Sequence, residues 1–164
     1  MAIDFFRGTD YNIPLPKRVE QYLNSIVGDD GYAGFDKQLL QKVKFTSIDP
    51  ATKQTLFRIT VEDFMCNKDG NLHGGAATTI LDNLSSTSLL TVGVPGFWDN
   101  FGVSRSLIVI FHKGIPRGMD LQVECTVVAV GRKMATMRAV LKNDDGTIYA
   151  SCVHEKFAVS YSKI

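Results

Sequence analysis

His73 and Asp82 are the only ionisable side chains between Gly70 and Trp98, in the stretch GNLHGGAATTILDNLSSTSLLTVGVPGFW. An imidazole, a Gly74-Gly75 pair and, nine residues after the histidine, a carboxylate form a set able to move protons and to accommodate developing charge. Helical patterning begins right after the glycines, which supply a tight turn with no Cβ to block a close approach. Ala77, Ile80, Leu81, Leu84 and Ser88 fall on one stripe at i, i+3, i+4, i+7 spacing. Asp82 lies off that stripe, on a face with Gly75, Thr78, Thr79, Ser85, Ser86 and Leu89. A surface helix carries Lys, Glu and Arg on its far side. This far side is small and hydroxylated, as suits a helix enclosed by protein. An enclosed helix keeps one carboxylate only if that group has a partner or a task, because an unpaired buried charge is expensive. The structural reading is an Asp bonded to neighbouring hydroxyls; the chemical reading follows from the His-Gly-Gly turn at the helix start.

The elements that must position these groups follow from periodicity. Residues 1 to 16 read as a surface arm, tacked down by Phe5 and Phe6. Lys17 to Val27 places Val19, Tyr22, Leu23 and Ile26 on one face of a short helix. Strands are expected over Leu39 to Ile48 and Thr55 to Phe64, with a turn at Asp49-Pro50. The long helix is expected to end near Val92-Gly93, followed by an aromatic loop, PGFWDN. Four further strands follow: Gly102 to His112, Leu121 to Val130, Met134 to Leu141, and Thr147 to Ser160, joined by tight turns at Gly131-Arg132-Lys133 and Asn143-Asp144-Asp145-Gly146. Sequential strands joined by tight turns make an antiparallel sheet. The expected class is α+β, a long helix wrapped by a curved antiparallel sheet. One structural domain is expected, with residues 1–37 as arm and short helix and 38–164 as the main unit.

Composition excludes several function classes. A net charge of +1 provides no basic field for nucleic acid. No apolar run reaches the ~18 residues of a membrane span. The N-terminus has no apolar signal core, and Asp4 and Asp10 argue against a transit peptide, so the expected location is cytoplasmic, with the mitochondrion left open. Cys66, Cys125 and Cys152 are odd in number and lack zinc-type spacing, which reads as reduced, mostly buried thiols, with a catalytic cysteine as the sharper alternative. The spacing of His73, His112 and His154 gives no metal site.

The string Asn67-Lys68-Asp69-Gly70-Asn71-Leu72-His73-Gly74-Gly75, followed by Asp82-Asn83, resembles the hotdog-fold acyl-CoA thioesterases of the phenylacetate-pathway and thioesterase-superfamily-member-2 type. Gly102-Val103-Ser104 matches the Gly-Val-Ser that opens the next strand in animal members, and the resemblance covers residues 38 to 159. It implies a hotdog fold, a homodimer with a continuous sheet that often pairs further into a tetramer, and an active site straddling the dimer interface. It also implies roles. The Gly74 N–H would bind the thioester carbonyl as an oxyanion donor, with Asn67 as a second polar contact. His73 would position the carbonyl or the thiol. Asp82 of the partner would activate water or attack directly, with Ser104 holding that water or the carboxylate. Thiolate is a good leaving group, so no strong general acid, metal or separate cofactor is required; coenzyme A is part of the substrate.

Gly75 joins the expected substrate contacts, and Phe97 and Trp98, in a loop longer than in those relatives, are expected to wall the acyl pocket. Coenzyme A carries phosphates, so Lys113, Arg117, Arg132 and Lys133 are candidates to rim the entrance. Arg105-Ser106 departs from the family, whose animal members carry an apolar residue and an acid there. The rival readings are an acyl-CoA-binding module without turnover, and a hotdog hydratase or dehydratase acting on enoyl or hydroxyacyl thioesters.

Overall fold

A computed structural model describes residues 10–159, so the expectation for Phe5 and Phe6 lies outside the described residues. Its helices are α1 (Leu15–Val27), α2 (Lys37–Leu40) and α3 (Gly74–Thr87). Its strands are β1 (Lys44–Asp49), β2 (Gln54–Thr60), β3 (Val103–Phe111), β4 (Asp120–Val130), β5 (Met134–Lys142) and β6 (Ile148–Phe157). All pairings are antiparallel, in the order β1-β2-β4-β5-β6-β3. Strands β1 and β3 are therefore the two edges. None of the described helices is long and apolar enough to cross a membrane.

The enclosed helix is α3. Ile80, Leu81 and Leu84 have no exposed surface and pack with Phe57, Leu121, Val123 and Leu141 from the sheet. Its hydroxyl-rich second half is compatible with burial because Ser86, Thr87 and Ser88 each bond back to the helix. Ser86 Oγ donates to Asp82 O at 2.8 Å, Thr87 Oγ1 to Leu84 O at 2.6 Å and Ser88 Oγ to Ser85 O at 2.5 Å. Such back-bonding satisfies buried polar groups but competes with the regular ladder. The helix duly tightens to a 3-10 turn over Ser88–Thr91. It ends at Thr91, and two residues on, at Gly93, an added Cβ would sit 2.6 Å from the Trp98 carbonyl oxygen.

Besides the early end of β2 at Thr60, ahead of a 3-10 turn over Asp63–Met65, two details differ from the sequence reading. The stretch from Leu39 to Val43 is not strand: α2 occupies Lys37–Leu40 and β1 starts only at Lys44. Leu39 and Leu40 are both buried, which one helical turn permits and a strand, pointing neighbours to opposite faces, does not. The second detail lies in β3, where the register with β6 shifts between Ser104 and Ser106. Arg105 is the extra residue of this bulge, and its guanidinium turns outward to Glu155 at 3.3 Å. A bulge re-aims the side chains on either side of it, so Ser104 and Leu107 both face α3.

Candidate active site

Asp82 sits halfway along α3 on the side facing β3 and β6, its side chain 43% exposed. Ser104 Oγ donates to Asp82 Oδ1 at 3.1 Å. Behind this pair is His154 of β6, with no exposed surface. Its Nε2 lies 2.9 Å from Ser104 Oγ and 3.4 Å from Asp82 Oδ1, and its Nδ1 lies 2.7 Å from Ser85 Oγ. Burial, reinforced by the Lys156 ammonium and opposed by Asp82, pushes the His154 imidazolium down to about pH 4. The ring is therefore neutral at pH 7. Ser104 gives its own proton to Asp82, so it accepts from His154, which fixes the Nε2–H tautomer and makes Nδ1 the acceptor for Ser85. The hydrogen bonds then run one way, from Ser85 through His154 and Ser104 to Oδ1 of Asp82. Oδ2 has no hydrogen-bond partner among the described residues.

A cavity of about 360 Å³ opens beside this carboxylate, lined by Tyr22 and Ile26 of α1, Tyr32, Asp36, Phe101 and Lys156 among others. Tyr22 packs its ring against Phe101 with 4.6 Å between centroids. Helix α1, outside the span of the resemblance, thus contributes a wall.

The start of α3 forms a separate feature. His73 is exposed, and its Nδ1 caps the helix by accepting the Gly75 N–H at 2.9 Å. That N–H is consequently occupied, whereas the Gly74 N–H, at the positive end of the helix, has no acceptor among the described residues. Asn67 Oδ1 accepts the N–H groups of Asp69 and Asn71 at 3.0 and 3.1 Å, so its carbonyl oxygen builds the turn. Only its amide Nδ2 is left for a ligand. A hollow of about 400 Å³ joins Asn67, Gly74, Phe111, His112 and Lys113. The loop carrying Lys113 and Arg117 is tied to the helix entrance by Leu72 N to Ile115 O at 2.7 Å and Arg117 N to Gly70 O at 2.9 Å.

Not every candidate gathers here. Trp98 is buried with Leu89, Val127, Ala135 and Met137, and its Nε1 donates to Gly131 O at 2.8 Å. Phe97 packs against that same cluster, and of the three aromatics Phe97, Trp98 and Phe101 it is Phe101 that reaches the Asp82 cavity. Arg132 and Lys133 are exposed on the β4–β5 hairpin, and Arg117 pairs with Asp63 at 3.1 Å. From sequence, His154 was weighed only as a metal ligand and Lys156 was given no role. Their signal was the period-two alternation of β6, which puts both on the face of Ala150 and Cys152.

A model described as the thioesterase superfamily matches residues 69–150, half of the chain. The chain belongs to the thioesterase superfamily. Human acyl-coenzyme A thioesterase 13 is 28% identical over 116 residues, covering 69% of this chain and 79% of that protein. Zebrafish thioesterase superfamily member 2 superposes with a TM-score of 0.74 at 25% identity, covering 86% of this chain and 96% of the other. A Streptococcus mutans protein solved with acetyl CoA shares the fold at a TM-score of 0.65 and 18% identity, over 82% of this chain and 98% of that one. The hotdog fold implied by the sequence resemblance is the fold observed. In this thioesterase-superfamily chain, the helix start and Asp82 both lie inside the matched residues.

Proposed function

We propose that the chain hydrolyses an acyl-CoA thioester to a free acid and coenzyme A in a site shared by two copies. One observation carries this reading: the two chemically competent groups on α3, the Gly74 N–H and the Asp82 carboxylate, cannot meet within one chain. Gly74 and Asp82 are eight residues apart, about 12 Å along a helix rising 1.5 Å per residue. A carbonyl held on the Gly74 N–H is out of reach of the same chain's Asp82.

Edge strand β3 supplies the solution. Ser104, at its beginning, belongs to the Asp82 cavity, and Phe111, at its end, to the Gly74 hollow. Ile108, Ile110 and Phe111 are exposed along it, at 62%, 55% and 55%. An unpaired apolar edge is a template for another strand. Pairing β3 with its own copy about a two-fold axis, antiparallel, sets the Ser104 end of each beside the Phe111 end of the other. Each Asp82 cavity then joins a partner's Gly74 hollow, giving two composite sites per dimer.

In such a site the carbonyl oxygen takes the Gly74 N–H, with Asn67 Nδ2 and the capping His73 alongside. The free Oδ2 of the other copy's Asp82 removes a proton from water as it attacks the carbonyl carbon. The developing oxyanion gains from a donor aimed at it before reaction. Collapse of the tetrahedral species breaks the C–S bond and expels thiolate. The acyl group occupies the cavity of Tyr22, Ile26 and Phe101. Lys113, lining the Gly74 hollow, is the cation assigned to the phosphates. The test is thiol release from a panel of acyl-CoAs. Asp82→Asn should lower kcat by about 100-fold or more while binding persists; an active Asp82→Asn would refute the assignment.

A further inference from the structure

Lys156 is a buried cation that the mechanism above leaves unused. It is 5% exposed, on β6 two residues beyond His154. Its Nζ donates to Ser86 Oγ at 2.8 Å and approaches Ser104 Oγ at 3.5 Å. Both hydroxyls lead to one residue: Ser86 Oγ donates onward to the Asp82 backbone carbonyl at 2.8 Å, and Ser104 Oγ to Asp82 Oδ1 at 3.1 Å. An ammonium has three donors and no acceptor. Both serines must therefore present lone pairs to Lys156 and send their protons away from it, and in both cases the proton goes to Asp82. A neutral amine carries a lone pair, and Ser104 could turn its hydroxyl back to it and release the carboxylate.

We infer that the Lys156 ammonium is a positioning residue for hydrolysis, fixing the direction of the Ser86 and Ser104 hydroxyls so that Asp82 is held for attack. This rests on the reading of Asp82 given above. The charged and titratable groups facing Lys156 are Asp82 from α3, Tyr22 from α1, Tyr32 and Asp36 from the segment after it, and His154 from β6. Tyr22 is pushed well above the ordinary phenol range, chiefly by burial, and Tyr32 to about 12 by its bond to Asp36. His154 titrates near 4. Burial, opposed by Asp82, lowers Lys156 to about 8, so it changes charge at a pH well away from those three groups.

The experiment is kcat against pH, from 6 to 10, for wild type, Lys156→Met and Lys156→Arg, with folding checked by circular dichroism and KM followed at each pH. Wild type should lose about tenfold in kcat across a limb centred near pH 8. The limb should be absent in Lys156→Met, whose kcat is low throughout, and displaced beyond pH 10 in Lys156→Arg, which stays charged. In wild type KM should change by less than about threefold across that limb, because no side chain lining the cavity has been replaced. A flat or rising wild-type profile, or a limb that stays near pH 8 in either variant, overturns the inference; if Lys156→Met does not fold, wild type and Lys156→Arg still decide. Asp82→Asn run alongside separates the failures. If it stays active, the Asp82 reading falls; if it is dead while the limb ignores Lys156, only this inference falls.

Discussion

The neutral, fully buried His154 makes stability fall with acid in a defined window. Its folded pKa is pushed down to about 4, against an unfolded value near 6.5. Between these values the unfolded chain binds a proton that the folded chain refuses, so stability rises with pH there and is lost as pH falls from about 6.5 towards 4. At 1.36 kcal/mol per pH unit, a gap of about 2.5 units corresponds to about 3 kcal/mol. Local relaxation and water access around a buried group relieve some of this, so the expected loss is about 2–3 kcal/mol. That is a large share of the ~5–15 kcal/mol typical of a domain. Urea denaturation at a fixed protein concentration, at pH 7.5, 6, 5 and 4, measures it. His154→Gln keeps a donor towards Ser104 and an acceptor for Ser85 without titrating, and its curve should be flatter by that amount. Asp49 and Asp144 also have lowered carboxyl pKa values, but below 3.8, and so contribute beneath this window. A wild-type stability that is level from pH 6.5 to 4.5, or a His154→Gln curve that falls equally, would refute the reasoning.

Three further outcomes follow from the same geometry. Ser104→Ala should lower kcat by about tenfold, the loss of one hydrogen bond to a charged group, with KM nearly unchanged in steady-state assays. The double substitution Ile108→Asp with Ile110→Asp places like charges along the β3 seam, and should shift sedimentation from dimer to monomer and abolish thiol release together. Trp98→Ala should cost about 3–5 kcal/mol in urea denaturation, as for a large buried aromatic, while leaving the acyl-chain preference of the folded fraction unchanged.

The long helix was legible because its evidence is local: a glycine pair, a 3.6-residue stripe and a far side without lysine or glutamate. Asp82 stood out for the same reason, as a lone carboxylate in an uncharged stretch. Ser104 was named only through the resemblance, and alternation alone would have misplaced it. If Leu107 and Val109 face the core, strict period two turns Ser104 outward, and only the Arg105 bulge brings it to Asp82. Bulges depend on pairing with a strand some fifty residues away, which no local pattern encodes. His154 and Lys156 were hidden differently. Their alternation with Ala150 and Cys152 was readable, but a charged residue on an inward face reads as a surface position until its partners are known, and those partners, Ser85, Ser86 and Ser104, come from two other elements. Trp98 was assigned by residue type to a pocket wall, whereas its indole N–H found Gly131 across the molecule and drew the ring into the core. The short α2 was missed because a single turn has too few residues to show a period.

The most direct test of a site built from two copies is complementation. Gly74→Pro removes the free N–H while suiting the first helical position, and His73 before it already has the extended backbone that a following proline requires, with ψ 136°. Gly74→Pro and Asp82→Asn chains carrying different tags would be co-expressed, and the mixed dimer purified and assayed for thiol release. Each parent homodimer should be inactive, and the mixed dimer should regain about half of wild-type activity, because one of its two composite sites is whole. A mixed dimer as inactive as its parents, or an active parent, would contradict the account.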